Sequence, residues 1–184
     1  VAIDTETMGL KPRRDKLCVV QLSAGDGSAH LVQLDRNSYD APNLKALLDD
    51  KNVLKIFHFA RFDVAVIQYY LGVFCQPVYC TRTASKLIRT FTDRHGLRDI
   101  CRELLSVDIS KQQQSSDWGA PELTKEQMEY AANDVLHLHA LKEKLDIMLE
   151  REGRTDLARR VFEFLPTRGE LDILGWNGTG LLEH

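Results

Sequence analysis

The sequence predicts an α/β domain with a mixed central β-sheet flanked by helices. Three short apolar runs near the start are separated by turn signals, as in antiparallel hairpins. A later apolar run, Val53 to Phe57, feeds directly into a helical pattern, which marks a strand–helix unit. From Thr81 the apolar residues recur mostly at helical spacing. Hairpins followed by strand–helix alternation give a sheet with both parallel and antiparallel pairs.

The elements follow in order. Val1 to Glu6 alternates sides, as a strand does. Leu17 to Ser23 and Ala29 to Gln33 are the next strands, with Ala24-Gly25-Asp26-Gly27-Ser28 as the turn between them. Asn43 to Leu48 is a short helix. Val53 to Phe57 is a buried strand leading into a helix from about Ala60 to Tyr70, which Gly72 ends. Val78 to Cys80 is a short strand. Thr81 to Phe91 places Ala84, Leu87 and Ile88 at helical spacing, and Leu97 to Leu105 is a further helix. Lys111 to Ala120 is polar and loop-like. Thr124-Lys125-Glu126-Gln127 is a capping box, opening a helix expected to run to Glu152. Thr155-Asp156 caps a last helix that Pro166 is expected to stop.

With 184 residues, 43% of them hydrophobic and 28% charged, the chain suits one domain with a full core. No apolar run reaches the roughly 18 residues of a membrane span, and no secretory leader is visible. A chain that opens in mid-strand is expected to lack native residues before Val1. The closing Leu182-Glu183-His184 reads equally as a tag remnant or as native sequence. The net charge of −3 argues against a general duplex-coating protein, so phosphates are held by a local basic patch, by metal ions, or not at all. Cys18, Cys75, Cys80 and Cys101 form no CxxC pair, so no structural zinc is expected, and a reduced, cytoplasmic setting is the simplest reading.

The acids carry the chemistry. Asp4 and Glu6 lie two apart on a strand, so their side chains share a face, about 7 Å apart at the Cα atoms. A lone D-x-E is usually a solvated strand end. Here Val1, Ala2 and Ile3 lead into it, so the pair ends a buried strand, where α/β sheets place ligands. Asp63 follows the second buried strand, in the first turn of the next helix. A helix-dipole role competes there, while His58 ahead of it could face a substrate. Tyr130 and Asp134, four apart on the capped helix, share a face that His137 and Leu141 extend. A surface Tyr–Asp pair is the competing explanation. Four carboxylates would be neutralised by two divalent cations, and oxygen ligands favour Mg²⁺ or Mn²⁺ over zinc. Two such cations cleave phosphodiesters. Tyr130, with an ordinary pKa near 10, is a poor base and better suited to orienting the attacking water.

These residues together resemble the ribonuclease D-type members of the DEDD 3′→5′ exonuclease superfamily, in its tyrosine subgroup (DEDDy). The first motif is Asp4-Thr5-Glu6 with Gly9-Leu10, the second His58-Phe59-Ala60-Arg61-Phe62-Asp63, and the third Tyr130-Ala131-Ala132-Asn133-Asp134. Lys111, Gln114 and Ser116-Asp117-Trp118 match the segment ahead of the third motif. The resemblance implies a ribonuclease H-like fold and two catalytic metals, Mg²⁺ or Mn²⁺. It implies Asp4, Glu6, Asp63 and Asp134 as metal ligands, and Tyr130 as the residue that orients water. It places Leu10 where relatives wedge an apolar side chain between the last bases. Two positions depart from the pattern. Phe59 stands where many members carry asparagine, which leans away from polymerase proofreading domains. Cys80 stands where ribonuclease D often has aspartate, so local hydrogen bonding should differ.

Further substrate contacts are expected from Thr5, His58, Phe59, Lys111, Trp118, Arg82 and Arg89. Arg82, Lys86 and Arg89 fall at i, i+4 and i+7, and with Arg94 and His95 read as the one basic stripe; a solvated helix face explains them equally well. Trp118 could stack a base, with loop anchoring as the competing role. The expected function is metal-dependent release of nucleoside monophosphates from single-stranded RNA 3′ ends. The alternatives are a DNA-directed exonuclease of the same superfamily and an inactive nucleic-acid-binding adaptor, which would typically have lost carboxylates. The whole of 1–184 is expected to be one exonuclease domain, with a catalytic core over about 1–150 and a helical extension over about 155–184.

Overall fold

The structure is a computed structural model, and it describes residues 1–109, 116–176, 178 and 181. Among these residues, five strands form one sheet: β1 (Ala2–Thr7), β2 (Leu17–Ser23), β3 (His30–Gln33), β4 (Lys55–Phe57) and β5 (Val78–Cys80). Their order is β3-β2-β1-β4-β5. The β1–β2 and β2–β3 pairs are antiparallel, and the β1–β4 and β4–β5 pairs are parallel. The mixed sheet expected from the hairpin start and the later strand–helix unit is present. β1 lies at its centre, so the Asp4/Glu6 strand is held from both sides.

Among the described residues, seven helices surround it: α1 (Pro42–Asp49), α2 (Ala60–Leu71), α3 (Thr81–Ile88), α4 (Leu97–Leu105), α5 (Lys125–Leu136), α6 (Leu138–Arg151) and α7 (Thr155–Ile173). Among the described residues no helix is long and apolar enough to cross a membrane. α5 packs on β1, β2 and β3, and α2 packs on β2, β4, β5 and α7. Leu138, Leu141, Leu145 and Leu149 give α6 a fully buried stripe. Truncating one of them to alanine would cost about 2–5 kcal/mol.

Two helix expectations are corrected. The helix opened by the Thr124 capping box does not continue to Glu152: it breaks at His137, whose φ of −101° and ψ of −7° separate α5 from α6. His137 and Leu141 therefore do not extend the Tyr130/Asp134 stripe. Pro166 does not stop the last helix either; α7 runs through it to Ile173. Tertiary contacts offset the lost backbone bond. Asp172 accepts from Arg61 Nε at 2.6 Å and Nη2 at 2.7 Å, tying α7 to α2. Gly169 permits the approach, since a Cβ there would lie 3.1 Å from the Ala65 backbone nitrogen. The expected cap also moves: Arg154 occupies the N-cap of α7 without a side-chain cap bond, and Thr155 is already helical.

Candidate active site

β1 brings Asp4 and Glu6 to one face of the sheet, opposite Gln21 and Val19 of β2. The register shifts between Glu6 and Thr7, so the strand bends immediately after the second acid. α5 covers this face and supplies Tyr130 and Asp134. Thr5 points the other way, where its hydroxyl donates to Asp63 Oδ1 at 2.7 Å. Asp63 sits in the first turn of α2, as expected, directly after β4. The three motifs meet in a cleft of about 770 Å³, lined by Asp4, Thr5, Glu6, Asp63, Tyr130 and Asp134 among others.

Oxygens of Asp4, Glu6 and Asp134 lie within 4.8 Å of one another, a spacing and a ligand chemistry that fit a hard divalent cation. Crowding shows in the proton affinities. Burial, then Asp134 and Asp63, pushes Glu6 up to about 9. Burial, then Asp63, Asp134 and Glu6, raises Asp4 well above the usual carboxylate range. Burial lifts Asp63 to about 7 against the pull of the Thr5 hydroxyl. Asp134 also rises to about 7 through burial, with the Tyr130 hydroxyl pulling it down. Tyr130 is raised well above the ordinary phenol value by burial, Asp134, Glu6 and Asp4, so it remains a phenol at neutral pH.

Gln21 was not singled out from sequence. It is fully buried, and its Nε2 donates to Asp4 Oδ2 at 3.4 Å and Glu6 Oε1 at 3.5 Å, while Oε1 has no partner among the described residues. A glutamine among the apolar residues of a central strand was the available signal. The substrate candidates divide. Leu10 stands 84% exposed at the mouth of the cleft. Phe59 is exposed beside it in a left-handed conformation (φ 72°), with the Arg82 guanidinium 4.6 Å from its ring centroid. His58 lines the cleft, but burial and then Arg82 hold it down to about 3, so it is neutral. The Thr81 hydroxyl donates to Phe57 O at 3.2 Å and accepts from His58 Nδ1 at 2.9 Å. That leaves His58 Nε2 as an acceptor, and it is buried without a partner among the described residues.

Thr5 lines the cleft, yet its hydroxyl is engaged by Asp63 and so orients that acid. Trp118 is 2% exposed and packs with Cys18, Val19 and Ala131, its ring 6.0 Å from that of Tyr130. It anchors the wall behind Tyr130, so the stacking role is withdrawn. Arg89 is also corrected. α3 ends at Ile88, so Arg89 turns inward at 1% exposure. There it donates to Ser85 Oγ, Arg94 O and the Glu103 carboxylate. His95 is buried against Ser85 as well, so no continuous basic stripe exists on α3. Cys80 takes over local capping, accepting from Thr83 N–H at 3.5 Å. Lys111 and Gln114 lie outside the described residues.

Comparison with known proteins agrees with this geometry. Residues 1–150 match the model of a 3′-5′ exonuclease family. Ribonuclease D of Gluconacetobacter diazotrophicus is 36% identical over 156 residues, which cover 85% of this chain and 39% of that protein. The chain thus spans well under half of that relative. Two structures of Brucella melitensis NrnC, one with bound Mg²⁺ and one bound to pGG, superpose with TM-scores of 0.92 and 0.93 at 58% and 59% identity. Each superposition covers 96% of this chain, and 86% and 85% of the respective NrnC chains. Escherichia coli RNase D superposes with a TM-score of 0.79 at 28% identity, over 91% of this chain and 44% of that one. With this family match and with its three acidic motifs gathered in one cleft of a ribonuclease H-like fold, the chain belongs to the 3′-5′ exonuclease family.

Proposed function

We propose that the chain is a metal-dependent 3′→5′ exoribonuclease that releases nucleoside monophosphates from single-stranded RNA 3′ ends. Its cofactors would be two divalent cations, Mg²⁺ or Mn²⁺. The observation that carries this reading is the convergence of Asp4, Glu6, Asp63, Asp134 and Tyr130 in one open cleft. Four crowded carboxylates must be balanced by protons or by cations, and the family match favours cations. When bound, the cations supply an activated water at neutral pH and stabilise charge at the leaving 3′ oxygen.

The chain's own residues do the rest. Asp4, Glu6 and Asp134 would hold a cation between them, and Thr5 orients Asp63 toward the same cleft. Gln21 bridges Asp4 and Glu6 and limits how far they splay. Tyr130 keeps its proton and offers a hydroxyl that orients the attacking water. Leu10 at the mouth is placed to separate terminal bases, with Phe59 and Arg82 as an apolar and a cationic contact beside it. His58 Nε2 can accept a hydrogen bond but cannot pair with phosphate as a cation.

The pGG bound by the NrnC neighbour favours very short RNAs as one class of substrate. DNA remains the enzymatic alternative, decided by contacts to the 2′-hydroxyl. A cytoplasmic site of action goes with this reading.

Product analysis on 3′- and 5′-labelled RNA and DNA strands, with and without Mg²⁺ or Mn²⁺, tests it. Stepwise mononucleotide release from free RNA 3′ ends is expected, slowing at a paired stem. Trimming of a 3′-blocked strand from its 5′ end, or internal cuts in a circular RNA, would overturn it.

A further inference from the structure

Immediately after Leu10 the chain carries Lys11, Arg13, Arg14 and Lys16 against a single acid, Asp15. All four cations are exposed. The loop that presents them is built, not slack. Asp15 is buried and accepts from Lys11 N at 2.9 Å, Arg14 Nε at 2.6 Å and Arg14 Nη2 at 2.9 Å. The N–H groups of Arg14 and Asp15 close the turn on Lys11 O at 3.0 and 2.8 Å. Gly9 makes room for this, because a Cβ there would stand 2.4 Å from Asp15 Oδ2. Arg14 therefore neutralises Asp15. Among the described ion pairs, Lys11, Arg13 and Lys16 have no carboxylate partner.

The loop also leads somewhere. Lys16 lines a second cavity of about 680 Å³ together with Arg36, and this cavity shares Met8 and Trp118 with the catalytic cleft. Arg36 is fixed across it by a bond from Nη2 to Gly119 O at 2.7 Å. Gly119 has no side chain to interfere, since a Cβ there would lie 2.5 Å from Arg36 Nη1. The acid in the cavity, Asp35, is engaged by Asn37 N–H at 3.0 Å and the Ser38 hydroxyl at 2.9 Å.

We propose that Lys11, Arg13 and Lys16, with Arg36, form a second contact surface for the phosphates of a single-stranded RNA longer than its terminal dinucleotide. The surface runs from the catalytic cleft across Met8 into the second cavity. This rests on the exonuclease reading and adds to it where the rest of the strand goes. A chain of net charge −3 with an acidic cleft repels a polyanion at long range. The cations of the loop that continues from Leu10 at the cleft, with Lys16 and Arg36 in the adjoining cavity, oppose that field where a strand must enter.

The test is a Lys11→Ala/Arg13→Ala/Lys16→Ala variant of the full chain. Its kcat/KM is measured on an oligoadenylate of about twelve nucleotides and on pGG, over about 50 to 200 mM KCl. Binding of the longer strand is also followed by fluorescence anisotropy in EDTA, where no turnover occurs. The ratio of kcat/KM for the long strand over pGG should fall about tenfold or more. The salt dependence of long-strand binding should lose a slope of about 2, from three phosphate contacts at about 0.7 each. An unchanged ratio and slope would overturn the proposal, as expected if the loop instead meets an acidic protein, a second copy of this chain included. Equal losses on both substrates would overturn it too, placing the loop's effect inside the catalytic cleft. Failure of the exonuclease reading looks different: the wild-type chain would cleave neither RNA, while the EDTA binding series would still decide the surface.

Discussion

Raising the pH in the presence of Mg²⁺ should tighten cation binding sharply, because burial and mutual repulsion raise the proton affinity of the cleft carboxylates and protons compete with the cation. Glu6 sits near 9, Asp63 and Asp134 near 7, and Asp4 well above its usual range. All four are raised by burial or by one another, so at neutral pH the cluster holds protons as a unit, and cation binding should expel on the order of two of them. Apparent affinity should then rise on the order of a hundredfold per pH unit near neutrality, flattening above about 9. The stability of the cation-free protein runs the opposite way. In the unfolded chain these acids titrate near 4. Between about 4 and 9 the folded state therefore binds more protons than the unfolded state, and stability falls as pH rises through that window. Calorimetry in buffers of different ionisation enthalpy counts the protons released, and thermal melts with and without Mg²⁺ at several pH values follow the stability. The Mg²⁺-induced rise in Tm should be small at pH 6 and large at pH 8. Cation binding that releases no protons and ignores pH would refute the reasoning, since it would mean the acids are already ionised and solvated apart.

Three substitutions separate the roles. Tyr130→Phe removes one positioning hydroxyl and should lower kcat by about 10²–10³ while leaving Mg²⁺ affinity nearly unchanged; full activity would make Tyr130 a packing residue. Leu10→Ala removes an exposed side chain, so Tm should hold while KM for RNA rises severalfold. Its effect should vanish in the Mg²⁺ titration, which does not involve the mouth of the cleft. Arg89→Ala breaks a buried guanidinium away from Ser85, Arg94 O and Glu103 and should cost about 2–4 kcal/mol, read by urea denaturation. Folded Arg89→Ala protein should keep its affinity for RNA, and a selective loss of RNA binding at unchanged stability would reinstate Arg89 as a substrate contact.

The legible parts of this protein were those governed by short-range rules. Strand alternation put Asp4 and Glu6 on one face, helical spacing did the same for Tyr130 and Asp134, and the Thr124 capping box marked the start of α5 correctly. The missed parts depend on tertiary contacts. The break at His137 involves neither glycine nor proline, so nothing local announced it. Pro166 stays inside α7 because Gly169 and Asp172 hold that helix against α2, a contact with residues about a hundred positions away. Arg89 fitted a helical stripe on paper, but α3 stops one residue earlier and the side chain turns inward. The Lys11–Lys16 cluster has no periodicity to notice, and only the fold shows that it borders the cleft. Gln21 becomes meaningful only once the β1–β2 register sets it across from Asp4.

The most direct measurement is anomalous diffraction from crystals of the protein grown with Mn²⁺ and a non-cleavable RNA dinucleotide. Two Mn²⁺ peaks about 3.5–4 Å apart are expected, contacted by Asp4, Glu6, Asp63 and Asp134, with the scissile phosphate between them. Mn²⁺ bound elsewhere, or RNA held in the cleft with no cation beside these four carboxylates, would contradict it.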